Sequence, residues 1–203
     1  MKNLKLLLVA FLAVVAVSSC MKDDNNYEQI DWEKEQARLD STKDAQQDEI
    51  KAYAEANLNP ERRKYNDSLG IWFEVLPTTA EVDSTFEYIQ SGASFMPVTA
   101  SVKYSEKSLD GKYSKNVTTA TRASIQTGYA PGAWLAAFYP NNINGRYYPG
   151  LLPKGLLKNV KIRLITPSIY YYDLNEVADK DGTGTLPPNS PLDVIIDVVE
   201  IGR

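Results

Sequence analysis

The chain has no histidine and one cysteine, Cys20, among its 203 residues. Without histidine, a Ser-His-Asp triad and a Cys-His pair are both excluded. A zinc site of the usual Cys/His kind is excluded with them, and a single thiol has no partner for a disulfide within the chain. Neither Gly-x-x-x-x-Gly-Lys-Ser/Thr nor Gly-x-Gly-x-x-Gly occurs, so the common phosphate-cradling loops are missing. There is no basic stripe, and the formal net charge is −4; a nucleic-acid backbone needs the opposite. No internal repeat is present. What remains is an ordinary soluble-domain composition, 43% hydrophobic and 24% charged, enough for one domain with appendages.

The first 20 residues read as an address. Lys2 and Lys5 precede an unbroken apolar run, Leu6 to Val17. That run is short of the ~20 residues a membrane-spanning helix needs, and fits a secretory signal. It ends at Val17-Ser18-Ser19-Cys20, which resembles the lipobox of bacterial lipoproteins. The resemblance implies removal of residues 1–19, acylation of Cys20 and attachment to a membrane of the bacterial envelope. A simple signal peptide with a chance cysteine is the plainer alternative. The polar, acidic stretch Met21 to Asn26 resembles the surface-export signal of some outer-membrane lipoproteins, although any polar tether looks similar.

Residues 20–45 are expected to form a polar, partly helical tether, and residues 46–69 a helical leader. Ile50, Tyr53, Ala54 and Asn57 follow helical spacing, and Asn59-Pro60 stops the pattern. An exposed helix leaning on the domain is the reading here, ahead of a partner-binding helix. From residue 70 the texture changes to strands and turns. Gly70 to Leu76 is dense in aromatic and β-branched residues. Pro97 to Ser114 alternates and then turns at Asp110-Gly111, a hairpin signal. Val160, Ile162 and Leu164 share one face of a strand opposite Lys161 and Arg163. Leu192, Val194, Ile196 and Val198 share one face of the last strand, opposite Asp193 and Asp197. A short helix is expected from about Gly150 to Leu157.

These segments carry a resemblance. "VKIRLITPSIYYYDL" and "TLPPNSPLDVIIDVVEI" resemble the C-terminal half of FKBP-type peptidyl-prolyl cis-trans isomerases. In that family a strand runs into P-x-x-x-Y-G, and I-P-P-x-x-x-L opens the last strand. Pro167, Tyr171, Leu186-Pro187-Pro188 and Leu192 stand at those steps. "VKYSEKSLDGKYS" resembles the family's V-x-Y-x-G-x-L-x-D-G-x-x-F-D-S, with Tyr104, Leu109, Asp110, Gly111, Tyr113 and Ser114 at the matching steps. "YYPGLLPKGL" resembles V-I-P-G-W-x-E-G-L, the opening of the family's single helix. The likeness spans residues 70–203 with gaps.

The resemblance implies an α+β, FKBP-like fold: a curled antiparallel sheet of about five strands over one short helix, with an N-terminal helical leader. The last strand should be internal, with Pro187-Pro188 fixing its approach. It also implies a site. Tyr104 and Tyr113 would wall a pocket, and Leu151 and Val194 would floor it. The backbone N–H of Tyr148 and the hydroxyl of Tyr171 would hold substrate carbonyls. Each of these residues has a packing role as the plainer alternative. Several family features are replaced. Leu151 stands where the floor tryptophan belongs, Ser114 or Lys115 where an aspartate belongs, and Tyr172 where a glycine belongs. Trp134 is either a substitute floor from the inserted segment 117–147 or an ordinary buried tryptophan.

The implied activity is a weak prolyl isomerase or folding helper of the bacterial envelope. Its partner would be a proline-containing peptide or an unfolded envelope protein. A non-catalytic module binding a peptide, protein or glycan is the alternative. No cofactor and no metal are expected. Ala178 to Gly184 suggests calcium only at first sight, because Val177 and Pro188 stand where liganding side chains are needed. Asn116-Val117-Thr118 is a sequon with little meaning behind a bacterial lipobox. Lys112, Lys115 and Arg122 read as a solvated rim.

Overall fold

The structure, a computed structural model, describes residues 31–92, 94–143, 146–147, 149–178 and 182–203. The signal, Cys20 and the tether up to residue 30 lie outside the described residues, as do Tyr148 and Asp179 to Asp181. The chain divides into two compact units, Met1–Glu35 and Gln36–Arg203.

Helix α1 runs Trp32–Asn57, beginning within the stretch expected as a tether. Its inward positions Gln46, Ile50 and Ala54 recur every fourth residue, so they stack on one face. It has no basic residue in its last turn. The strand beneath supplies one: Arg163 donates to the carbonyl of Asn57 at 2.9 Å, satisfying an end carbonyl and countering the helix dipole.

Six strands form the main sheet: β1 (Lys64–Asn66), β2 (Ile71–Leu76), β3 (Val98–Ser108), β4 (Ser114–Ile125), β5 (Lys161–Thr166) and β6 (Leu192–Gly202). Their order is β1-β2-β5-β6-β3-β4, and every pairing is antiparallel. The sheet is curled and the class α+β, as the resemblance implies. The last strand lies inside it, between β5 and β3, and Ile196 is fully buried.

Period-two alternation decides what each strand offers to either face. Ile162, Leu164, Val194, Ile196 and Val198 enter the main core with Ile71, Phe73 and Val102. Ile165 points the other way and packs with Ile50, Ala54 and Leu58 of α1 and its exit. The sheet is therefore covered on both faces within the unit 36–203. On the α1 side, Asp193 accepts from Arg163 at 2.9 and 2.7 Å and from the hydroxyl of Tyr53 at 3.0 Å.

The short helix is not where the sequence places it. Helix α2 is Gly132–Phe138, and residues 150–157 form turns and irregular backbone. Two Pro-Gly pairs compete for the role, Pro131-Gly132 and Pro149-Gly150. The first is followed by Ala-Trp-Leu-Ala-Ala-Phe, good helix formers with a buried stripe. The second is followed by Pro153 and by Gly155 at φ +70°, which break a helix. Segment 150–157 instead lies along α2 and supplies donors to its end. Leu151 N–H donates to Ala136 at 2.8 Å, and Leu156 N–H to Phe138 at 3.0 Å. Gly155 permits this approach, because a Cβ there would collide with the carbonyl oxygen of Phe138.

Candidate functional site

Strand β3 builds one wall. Its buried or partly buried positions alternate through Val98, Ala100, Val102, Tyr104, Glu106 and Ser108. The fifth is a carboxylate on an apolar face. Glu106 is only 4% exposed, and an unsatisfied carboxylate there would be costly. Three phenols satisfy it. Tyr171 donates to Oε1 at 2.9 Å, Tyr172 to Oε2 at 2.8 Å and Tyr113 to Oε2 at 3.3 Å. Tyr113 reaches it from the far side of the Asp110-Gly111 hairpin. That turn forms as expected, with Gly111 at φ +74° and Asp110 accepting from Ser108 Oγ at 2.7 Å and Lys112 N–H at 3.0 Å.

Helix α2 supplies the next part. The indole Nε1 of Trp134 donates to the hydroxyl of Tyr171 at 2.8 Å. The Tyr104 ring meets Trp134 edge-on at 5.3 Å between centroids. Trp134, Tyr171 and Glu106 thus form a relay from helix to loop to strand. Above it opens a cavity of about 400 Å³, walled by Tyr104, Trp134, Tyr171, Tyr172 and the Tyr129 to Pro131 turn, with Glu106 at its base.

The residues chosen from sequence divide accordingly. Tyr104 and Tyr171 meet at the cavity. Tyr113 stands behind it, fully buried, and contacts Glu106 of its lining. Leu151 and Val194 are core residues and do not line the cavity. Leu151 is held against α2 by its backbone, and Val194 is the cross-strand neighbour of Glu106. Trp134 lines the cavity and Leu151 does not. Arg122 stands at the cavity edge. Lys112 is exposed and paired with Asp110, and Lys115 sits 5.7 Å from the Tyr104 ring.

Glu106 is the residue sequence reasoning passed over, and Tyr172 was read there only as a replaced glycine. The signal was in the alternation: a charged residue on the inward side of a strand is either an error of register or a functional site. For Trp134 the signal was the other Pro-Gly pair.

Electrostatics keeps the phenols protonated. Burial first, then the charge of Glu106, pushes Tyr171 far above the ordinary tyrosine value; the same causes raise Tyr172. The hydroxyls of Tyr171 and Tyr172 are both engaged by Glu106. The arrangement offers an aromatic-walled cavity with a fixed carboxylate and fixed hydroxyls. Such a cavity suits chemistry that needs positioning and a changed dielectric rather than bond-making groups.

No protein-family model matches the chain, and no curated protein matches it. Solved structures do. A peptidyl-prolyl cis-trans isomerase from Pseudomonas syringae pv. tomato is similar over 81% of this chain and 96% of its own, at 17% identity and TM-score 0.47. FkpA from Escherichia coli is similar over 98% of this chain and 82% of its own, at 18% identity and TM-score 0.46. AtFKBP13 is similar over 69% of this chain and 98% of its own, at 17% identity and TM-score 0.46.

Proposed function

We propose that the Trp134 cavity receives the proline ring of an X-Pro segment, and that the protein is a weak FKBP-type peptidyl-prolyl cis-trans isomerase serving as a folding helper in the bacterial envelope. One observation carries this reading: Trp134 and Tyr104 bound the cavity with two rings, and Tyr171 and Glu106 fix the indole by a relay of hydrogen bonds. A flat aromatic surface suits a proline ring. The barrier to rotation about X-Pro is ~18–20 kcal/mol and arises from amide resonance. The planar amide is more polar than the twisted one, so the apolar ring faces of the cavity favour the twisted state without a nucleophile or metal.

Glu106 restores an acidic acceptor that Ser114 and Lys115 do not supply. Its partners are the reason activity should be weak. The Tyr171 hydroxyl donates to Glu106 and accepts from Trp134, so its proton is not available to a substrate carbonyl. That same observation favours a second reading, a non-catalytic module that binds a peptide, protein or glycan in this cavity.

The test is refolding of a substrate protein limited by one X-Pro bond, with the full chain added in catalytic amounts. Acceleration above the spontaneous rate is expected, and its removal by Trp134→Ala. No acceleration, with the peptide still bound, supports the binding module instead.

The envelope location rests on the lipobox-like sequence around Cys20, with the lipid chains there as the membrane partner. Several acyl chains give stable anchoring where one does not. Cys20→Ala should move the protein from the membrane to the soluble fraction; retention in the membrane would contradict the anchor.

A further inference from the structure

We infer that Gln46 and Arg38 of helix α1 are positioning residues of the Trp134 cavity, acting through the loop that carries Tyr171 and Tyr172. The leader helix is then part of the site rather than a spacer.

The contacts are specific. Gln46 is buried, and its amide is fully used. Oε1 accepts from the backbone N–H of Ser168 at 2.9 Å. Nε2 donates to Ser168 Oγ at 2.9 Å and to the carbonyl of Asn189 at 2.8 Å. Eight residues earlier, two helical turns away on the same face, Arg38 grips Asp173 with both terminal nitrogens, at 3.1 and 2.6 Å. Such a fork-to-fork pair fixes orientation as well as position.

Ser168 and Asp173 bracket Tyr171 and Tyr172. Asp173 has φ +48° and Asn189 φ +57°, in the left-handed region that Asp and Asn enter more readily than other residues with a side chain. Those two residues are tied to each other, since Asn189 N–H donates to the Asp173 carbonyl at 2.6 Å. Helix α1 binds both, Asp173 through Arg38 and Asn189 through Gln46. The conformation so fixed delivers the Tyr171 hydroxyl to Trp134 and Glu106, and the Tyr172 hydroxyl to Glu106. The link from α1 to the indole is therefore a chain of direct contacts, with no step taken on proximity alone.

The test uses the full chain with W32F and W72F, which leaves Trp134 as the one indole of three. Gln46→Ala and Arg38→Ala are compared with this parent by Trp134 emission, acrylamide quenching, prolyl turnover and thermal unfolding. Each variant should move the emission to the red and increase quenching while retaining a cooperative transition. Each should also lower kcat/KM, by up to roughly a hundredfold, the scale of a 1 Å misplacement in a site. Arg38→Lys, which keeps a positive charge on Asp173, should move the emission less than Arg38→Ala, which a general loss of stability would not predict. Unchanged emission and quenching in both alanine variants overturns the inference, and so does an Arg38→Lys shift as large as that of Arg38→Ala. Only the turnover arm rests on the prolyl reading. If the indole responds as expected while the parent turns over no prolyl substrate, the positioning stands and the prolyl reading falls.

Discussion

Trp134 and Tyr171, 37 residues apart in the chain, are joined by a 2.8 Å hydrogen bond from indole to phenol. The bond ties helix α2 to the loop after β5, and the same phenol continues to Glu106. Tyr171→Phe keeps the ring and deletes the joint. The indole N–H and one carboxylate oxygen then lose a partner in a buried place. Leaving such groups unmade costs about 1–3 kcal/mol, and that loss should appear in denaturant unfolding. Prolyl turnover should fall as well, because the indole is no longer fixed.

Glu106→Gln preserves shape and removes charge. Hydrogen bonds to charged groups contribute about 1.5–3 kcal/mol, so the variant should be destabilised by a similar amount on equilibrium unfolding. Tyr172→Phe in the Glu106→Gln background should cost less than Tyr172→Phe alone, since the two side chains share one bond. Additive losses would show that they act separately.

That pair explains part of what was legible in the sequence. In the family-like patterns around Tyr104 and Tyr171, the steps held by Glu106 and Tyr172 are glycines. Either change alone looks like decay of a site. In the fold they face each other at 2.8 Å, a relation that needs β3 and the loop after β5 in register. The elements themselves could be read because they rest on local chemistry: the Asp110-Gly111 turn, the alternation in β5 and β6, and the rigid Pro187-Pro188 approach to an internal last strand. Helix α2 was misplaced because Pro-Gly marks a start and does not say which of two starts is used. The choice was made by Gly155, whose φ of +70° lets its segment run beside α2 instead of coiling. The packing of α1 on the sheet was legible from Ile50 and Ala54, but its grip on the tyrosine loop was not. Gln46 is an ordinary polar residue until Ser168 and Asn189 are brought to it.

Alkaline pH should weaken the fold through the same phenols. Burial, followed by the charge of Glu106, raises Tyr171 and Tyr172 above 10.0; burial, followed by Tyr139, raises Tyr88. In the unfolded chain these groups ionise near the ordinary value, while the folded chain holds their protons longer. Their contribution is therefore complete below about pH 10 and is lost as pH rises through the folded values. Phenolate absorbance from these three should appear together with unfolding. Complete ionisation before the fold is lost would contradict their placement.

The Trp134 cavity is where a proline ring is proposed to sit. The direct measurement is an NMR titration of the full chain with a short X-Pro peptide, following the indole N–H of Trp134. The account predicts a saturable shift of that signal, with exchange between the cis and trans peptide forms faster than in peptide alone. A Trp134 signal that stays still while the peptide binds elsewhere on the protein would contradict it.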